Sequence, residues 1–491
     1  MLLVLFSCSV FTSMVLGVDV KNLAVYDVTR RSLSESETHP ELLAFRLEFP
    51  EDSVILHLQR RDSLNVHQAP VFVTGEDGEL KRLQREKPES VPYQSLDKRA
   101  AVTVTTKRTD SGRVQRSLMG TFDLNGDGNV YCIERSEQPV SDDKKRDVTE
   151  NNDGVIHTIT KRTLKIDSDE EIDIFRRKKT TYPTYYVELF VLIDFSTYSL
   201  YGKNLQKTIE HYSQVVNGID LIFGAIEDPA LQIRIRVTGF FVAQSAEAAP
   251  WTDSSPFKET TKRGYKIKPG DVKKLAKVWL EERAGKLPTY DHVQLYTGIP
   301  LRSIKPDGTV SAAAGVSGGV CGNSASLVRS APKDIIRTGP AHEIGHSLGA
   351  KHDTKYESEC PKKVGSVMGG GPPYTFSKCA IRDMKKKMEK LNKKNANCLL
   401  NRGFNEKGYA KIIEKLPGQF YSADEQCKMK RGPKSVNCVS KGGFNCDNLM
   451  CADDNGRCYQ EKLPPAYGTS CGNKMWCIRG KCSYDEKAPE N

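Results

Sequence analysis

The feature that most constrains this chain is the motif H-E-x-x-H-x-x-G-x-x-H-D at residues 342–353. On a helix, His342 and His346 lie four residues apart on one face, so both imidazoles can bind one ion. Gly349 favours the left-handed backbone that ends a helix, after which the chain can turn back and present His352 as a third ligand. Three neutral histidines with an open fourth position are typical of a catalytic zinc site, because structural zinc sites are closed by four protein ligands.

Glu343 lies one step round the same helix, where it can reach a water on the ion but is poorly placed to ligate the ion itself. Zinc lowers the pKa of its bound water towards neutrality, and Glu343 can then accept the proton as general base. The alternative is a surface helix that carries histidines by chance. Three of the chain's nine histidines fall in this one motif, which argues against that alternative.

A methionine follows the motif, Met368 within Ser366–Gly369. The motif and this methionine together resemble the metzincin signature. Asp353, directly after the third histidine, narrows the resemblance to the adamalysin (reprolysin) branch, which includes the ADAM and ADAMTS proteases. The resemblance implies a zinc endopeptidase in which Met368 forms an apolar floor under the metal site.

Length and cysteine content indicate a secreted protein of several domains. The 491 residues exceed what one core accommodates, and about three domains are expected. Residues 1–17 read as a secretory signal peptide, and no other segment has the length and apolarity of a membrane span. Cys8 leaves with that peptide, Cys132 stands alone, four cysteines surround the zinc motif and eight crowd the C-terminus. The two even groups indicate disulfides and an extracellular location.

The net charge of +11 is interpreted as favouring solubility, because the lysines are scattered and no nucleic-acid-binding module is recognisable. The expected partners are extracellular protein substrates. The sequence does not determine the oligomeric state.

Residues 18–179 are predicted to be a β-rich propeptide. Short apolar runs alternate with polar turns, and the segment ends in the basic run 176–179, which is typical of a processing site in an exposed linker. A solvated linker without processing is the alternative. Asp123–Glu134 also fits the EF-hand loop pattern, but Asn125-Gly126 between apolar residues favours a hairpin.

Cys132 is the one unpaired cysteine expected after signal removal. Its thiolate could act as the fourth zinc ligand and keep a zymogen silent, since thiolate binds zinc well. A buried or incidental thiol is the alternative, and the sequence around Cys132 does not choose between them.

Residues 180–402 are predicted to form an α/β catalytic domain. Apolar periodicity predicts strands at 185–194, 231–237 and 292–297, helices at about 200–226 and 271–284, and an edge strand at 312–320. This order resembles the adamalysin-like metzincin domain, with a mixed twisted sheet and a zinc helix. The resemblance implies that the edge strand binds substrate as an added antiparallel strand.

The same resemblance implies disulfides between particular cysteines, whereas four cysteines alone allow three connectivities. The implied pairs are Cys321–Cys398 and Cys360–Cys379. It also implies a structural calcium site, for which ordinary surface acids are the alternative. The implied calcium ligands are Glu188, Asp291, the carbonyl of Cys398, and Asn401.

Residues 403–491 carry eight cysteines with little apolar sequence between them, so this core needs disulfides for stability. The segment resembles the disintegrin-like, cysteine-rich module of ADAMTS proteases, and the whole layout is similar to tick salivary metalloproteases. An exosite that steers protein substrates is one interpretation, and a module that only stabilises the protease is the other.

The sequence therefore predicts a secreted zinc metalloendopeptidase, made as a zymogen, that hydrolyses extracellular proteins of the matrix or of clotting. The alternative is a catalytically weak, anti-haemostatic factor that binds proteins through its cysteine-rich module. The intact Glu343 argues for the enzyme.

Overall fold

The protein is described by a computed structural model whose described residues lie within 18–489. The gaps in this range are 30–37, 50–52, 76–77, 84–88, 96–98, 110–113, 124–129, 137–153, 163–182, 227, 258, 262–263, 302–312, 318, 331–337, 354–357, 361–365, 370–374, 401–416, 439–443, 447, 454, 462–464, 467, 479–480 and 486–487. The expected signal peptide and the basic run 176–179 lie outside the described residues.

The strands are numbered in chain order. They are β1 (Val18–Asp27), β2 (Leu42–Glu48), β3 (Ser53–Arg60), β4 (Val71–Thr74), β5 (Leu80–Leu83), β6 (Ser90–Ser95), β7 (Ala100–Arg108), β8 (Val114–Phe122), β9 (Val130–Arg135), β10 (Val155–Arg162), β11 (Thr184–Ile193), β12 (Gln232–Val242), β13 (Glu259–Thr261), β14 (Gly264–Lys266), β15 (His292–Thr297), β16 (Ala313–Ser317), β17 (Ala325–Arg329), β18 (Met450–Ala452), β19 (Cys458–Gln460), β20 (Ser470–Gly472), β21 (Met475–Ile478) and β22 (Lys481–Tyr484).

The α-helices are α1 (Phe195–Leu200), α2 (Leu205–Gly224), α3 (Pro269–Glu282), α4 (Thr338–Ser347), α5 (Lys378–Lys393), α6 (Pro417–Phe420) and α7 (Ala423–Arg431). Short 3₁₀ turns occupy Asp62–Leu64 and Cys398–Leu400. Among the described residues, no helix is both long and apolar enough to cross a membrane.

The chain divides into two compact units. The first contains Met1–Arg61, Glu89–Thr163 and Tyr409–Asn491, and the second contains Asp62–Pro88 and Leu164–Gly408. The segment at 62–88 therefore separates from the rest of the expected propeptide and belongs to the unit that carries the zinc motif. Nothing in the sequence pattern predicted that residues 62–88 belong to this second unit.

The first unit is built on a closed antiparallel barrel with the strand order β1-β10-β9-β8-β7-β6-β3-β2. Alternation of apolar and polar residues along these strands sends one face inward. Phe45, Leu56, Tyr93 and Val102 are among the buried side chains of its core. Phe122 pairs with Tyr131 across the antiparallel strands β8 and β9, so strands rather than helices lie on both sides of residues 124–129. The turn expected at Asn125-Gly126 itself lies outside the described residues.

The C-terminal module of the first unit is held by four disulfides, which are Cys427–Cys451, Cys438–Cys458, Cys446–Cys477 and Cys471–Cys482. Ser422 caps α7, which packs against the barrel strand β3. The rings of His57 and Tyr421 lie 5.0 Å apart, and Arg46 donates a 3.2 Å hydrogen bond to the carbonyl of Met429. The barrel and the C-terminal module therefore share an interface.

The second unit is an α/β layered domain around a seven-stranded sheet with the order β16-β17-β15-β11-β12-β4-β5. The pairs from β17 to β4 are parallel, whereas β16 and β5 are antiparallel edge strands. The mixed α/β fold class predicted from the sequence is confirmed.

Helices cover both faces of this sheet. Apolar side chains of α2, α4 and α5 pack on one face with Ile219, Ile344 and Met384 in the core. The helix α3 packs on the other face, where Trp279 meets Trp251 with ring centroids 4.9 Å apart. Because both faces are covered, β11 can be apolar almost throughout, as the sequence pattern predicted.

Candidate metal centre

The helix α4 positions the first two histidines. It begins at Thr338, so Pro340 lies in the first turn, where a missing N–H is tolerated. Gly349 has φ of 103° and ends the helix, and a Cβ there would lie 2.9 Å from the Cβ of Lys387. The chain then returns to bring His352 beside His342 and His346.

The three imidazoles meet through their Nε2 atoms. The Nε2 of His352 lies 3.1 Å from the Nε2 of His342 and 3.1 Å from that of His346. On the far side of the rings, Nδ1 of His342 lies 2.7 Å from the carbonyl oxygen of Val367, and Nδ1 of His346 lies 2.8 Å from that of Ala350. A carbonyl only accepts, so in both histidines Nδ1 carries the proton and Nε2 presents a lone pair.

Burial also favours neutral imidazoles in this cluster. It lowers the pKa of His342, and it lowers the pKa of His346 to about 4 against the opposing hydrogen bond to Ala350. Lone pairs facing one another repel unless a cation lies between them. Zinc with nitrogen ligands at about 2.0–2.1 Å in tetrahedral geometry separates those nitrogens by ~3.3 Å, close to the distances found here. The donor set therefore fits zinc.

Glu343 provides the carboxyl group of the site. Its side chain is 4% exposed, and within the described part of the chain its Oε2 has no hydrogen-bond partner. Burial raises the pKa of Glu343 to about 7, while the positive charge of Lys273 acts in the opposite direction. A buried carboxyl with a free oxygen beside a histidine cluster is suited to accept a proton from a bound water.

Lys273 is a feature of the site that the sequence analysis missed. It lies on α3, far from the motif in sequence, and burial lowers the pKa of its amine while Glu343 raises it. Nothing in the local sequence of α3 marks this lysine, because only the tertiary fold brings its charge near Glu343.

Met368 lies beneath α4. It is 2% exposed, and a Cβ built on Gly345 would lie 3.1 Å from its sulfur and 2.9 Å from Phe376. The helix can therefore approach the Met368 turn only with glycine at this position. This places the thioether in the apolar core below the histidines.

Asp353 ties the turn to the following helix. It is 2% exposed, and its Oδ1 accepts a 2.7 Å hydrogen bond from Ser377 Oγ while Oδ2 accepts one from Ser366 Oγ. Ser377 in turn caps the first turn of α5, and Ser366 accepts from the N–H of Gly369 at 2.8 Å. The last residue of the motif is thus a positioning residue for the floor of the site.

The edge strand and the disulfides surround this centre. β16 is the edge strand beside β17, within the range predicted as the substrate edge. The N–H of Val320 donates to the carbonyl of Ser347 at 3.2 Å, which joins the segment after β16 to the end of α4. The structure contains the disulfides Cys321–Cys398 and Cys360–Cys379.

Two of the expected calcium ligands lie side by side. Asp291 Oδ2 accepts a 3.0 Å hydrogen bond from the N–H of Glu188, and the N–H of Asp291 donates a 2.8 Å hydrogen bond to the carbonyl of Glu188. Burial raises the pKa of both carboxyls, and the charge of Asp291 raises that of Glu188 further. The turn that holds Cys398 packs against β11, whereas Asn401 lies outside the described residues.

Cys132 lies on β9 of the barrel, is 4% exposed and forms no disulfide. Among the described residues, the side chains that meet at the candidate metal centre are His342, His346 and His352. The zymogen switch remains a prediction.

Comparisons with known proteins agree with this geometry. Residues 185–403 match the model of the Reprolysin (M12B) family zinc metalloprotease, and residues 417–483 match ADAMTS cysteine-rich domain 2. A disintegrin and metalloproteinase with thrombospondin motifs 18 from Mus musculus is 32% identical over 201 residues, covering 39% of this chain and 16% of the relative. A disintegrin and metalloproteinase with thrombospondin motifs like from Bombyx mori is 26% identical over 333 residues, covering 62% and 46%.

The chain thus spans less than half of either relative. A solved structure of archaemetzincin from Methanopyrus kandleri covers 43% of this chain and 98% of its own at 13% identity, with a TM-score of 0.24. Because that score is low, the fold assignment rests on the family match and on the sheet topology.

Proposed function

We propose that this chain, whose residues 185–403 belong to the Reprolysin (M12B) family of zinc metalloproteases, is a secreted zinc-dependent endopeptidase made as a zymogen. The observation that carries the proposal is the convergence of three Nε2 atoms beside a buried carboxyl whose Oε2 has no partner among the described residues. That arrangement combines a three-nitrogen metal site with a proton acceptor.

The chain's own residues would divide the chemistry as follows. His342, His346 and His352 would hold zinc, and the carbonyls of Val367 and Ala350 set the tautomers of His342 and His346. When bound, zinc supplies a Lewis acid that acidifies water and polarises the scissile carbonyl. Glu343 accepts the proton of the attacking water and delivers it to the leaving amine, acting first as base and then as acid.

The substrate would lie along β16. The outer edge of this strand has no strand beside it in the described sheet, so an extended peptide can add there by backbone hydrogen bonds. The hydrogen bond from Val320 to Ser347 holds the edge segment beside the end of α4. Matrix or clotting proteins are the proposed substrate class.

The domain plan belongs to the same proposal. Residues 1–17 would be the signal peptide, 18–179 the propeptide, 180–402 the protease and 403–491 the cysteine-rich module. Removal of the propeptide near 176–179 would activate the enzyme. Glu188 and Asp291 would hold a structural calcium ion. Burial raises the pKa of both carboxyls, and the charge of Asp291 raises that of Glu188 further, so a bound cation would stabilise their charged forms.

The test is chelator-sensitive cleavage of a general protein substrate such as casein, with zinc content measured by mass spectrometry. Glu343→Gln should retain zinc and lose at least ~100-fold in rate, the low end of general acid–base effects. Glu389→Gln, the same change at an exposed position of α5, is the matched control and should keep full activity. Zinc-loaded protein that cleaves nothing would favour the alternative function, protein binding through the module.

A further inference from the structure

We infer that the hairpin β4–β5 is a permanent part of the protease sheet and stays bound to β12 after the propeptide has been cut from the catalytic domain. The inference rests on the proposed zymogen processing. It assigns the outer edge of β12 as a binding surface for residues 62–75 and 78–83 of the same chain.

Backbone pairing seats the hairpin. β4 runs parallel to β12 with Val71, Phe72 and Val73 opposite Phe240, Phe241 and Val242. The N–H of Phe240 donates a 2.9 Å hydrogen bond to the carbonyl of Pro70. Without the hairpin β12 would be an open sheet edge, which exposes unpaired backbone groups.

Side chains of β4 enter both cores of the catalytic domain. Val71 and Val73 are buried in the core that contains α4, while Phe72 is buried in the core on the opposite face. The ring of Phe72 meets that of Phe190 edge-on, with centroids 6.4 Å apart. The side chains of this propeptide strand are buried in two cores of the catalytic domain. The strand is therefore packed in the same way as the core strands of that domain.

The approach to β4 adds further contacts. Leu64 and Val66 are fully buried in the same core as Val71. Asn65 donates from Nδ2 to the carbonyl of Val237 at 2.8 Å, and Glu79 forms a 3.1 Å ion pair with Lys286. None of these contacts depends on the peptide bonds at 176–179.

The position of the hairpin is compatible with activity. β5 and β16 are the two ends of the seven-stranded order, so the hairpin occupies the edge opposite the proposed substrate strand. The processed enzyme would thus be a non-covalent pair of chains with a free substrate edge.

The experiment uses the full chain with Glu343→Gln and a site for an added sequence-specific protease in place of residues 176–179. Hydrogen exchange is measured before and after the cut. The amide of Phe240 reports the hairpin, and the amide of Ala243, which donates to Ile193 at 2.9 Å, reports β11 and serves as internal control. We expect the exchange rate of Phe240 to change by no more than about twofold on cutting.

Val73→Asp places a carboxylate in the buried position and should speed exchange at Phe240 at least ~100-fold in the cut protein, with Ala243 unchanged. Arg82→Asp places a carboxylate at an exposed position of β5 and should behave as the parent chain does. Fast exchange at Phe240 in the cut parent chain, with Ala243 still protected, would overturn the inference. If Val73→Asp unfolds the domain, the cut and uncut parent chains still decide.

Because the cut is made by an added protease in an inactivated chain, the result does not depend on the proposed activity. If the hairpin is retained after the cut but the chain that keeps Glu343 shows no proteolysis, only the proposed function is refuted. A released hairpin with normal proteolysis would refute this inference alone.

Discussion

Replacing Asp353 with alanine tests whether the last residue of the zinc motif is structural. The change removes two hydrogen bonds to a buried carboxylate, from Ser366 and Ser377. Hydrogen bonds to charged groups contribute about 1.5–3 kcal/mol each. Both hydroxyls keep their bonds to backbone N–H groups of Gly369 and Ala380, which limits the loss, and we expect about 2–4 kcal/mol in total.

Calorimetry of the full chain in a Glu343→Gln background measures this effect without autolysis. For a unit of this size each kcal/mol shifts Tm by about 2–4 °C, so Asp353→Ala should lower the Tm of the protease transition by about 4–16 °C. Asp353→Asn keeps an acceptor oxygen and the side-chain shape, and should lose less than half as much.

A double-mutant cycle sharpens the result. Because Asp353 and Ser377 are in contact, the double variant with Asp353→Ala and Ser377→Ala should lose less than the sum of the single losses. Additive losses, or an Asp353→Ala chain with the parent Tm, would refute the view that this carboxylate holds the floor of the site.

Two other acidic sites give further tests. Burial and the neighbouring Asp194 raise the pKa of Asp253 to about 7, so the folded chain holds this proton more tightly than the unfolded chain and the stabilisation is lost as pH rises through that value. Tm should therefore fall between about pH 4 and about pH 7, the span from the unfolded pKa to the folded one, and Asp253→Asn should flatten the fall; an unchanged slope would contradict the assignment. Calcium at ~100 times its dissociation constant should stabilise the chain by about 2.7 kcal/mol, measured as a rise in Tm. Glu188→Gln should abolish that rise in Tm. In chelator the same variant should have a higher Tm than the parent chain, because the repulsion from Asp291 is gone. A calcium response equal to that of Glu389→Gln would contradict the proposed calcium site.

Much of the fold followed from local patterns. Helical periodicity located α2 and α3 within a few residues, and β15 was predicted with its observed ends, because burial of one face imposes a period that the sequence displays. The termination of α4 was equally local, since Gly349 alone accepts the backbone angle and the close approach found there.

Other features required contacts between distant residues. The tautomers of His342 and His346 depend on the carbonyls of Val367 and Ala350, and no spacing rule names those acceptors. The charge of Lys273 reaches Glu343 only through the packing of α3 across the sheet. Eight cysteines permit many connectivities, and the sequence did not specify the four disulfides found in the module.

The sequence by itself determined the cluster of His342, His346 and His352, because ligand spacing on one helix and one turn is a local property that survives any arrangement of the rest. Only the tertiary structure decided that Asp62–Pro88 belongs with the protease. A short apolar strand reads the same whether it pairs within a barrel or with a distant sheet edge, and the choice between them is made by which partner strand and which cores remain to be filled.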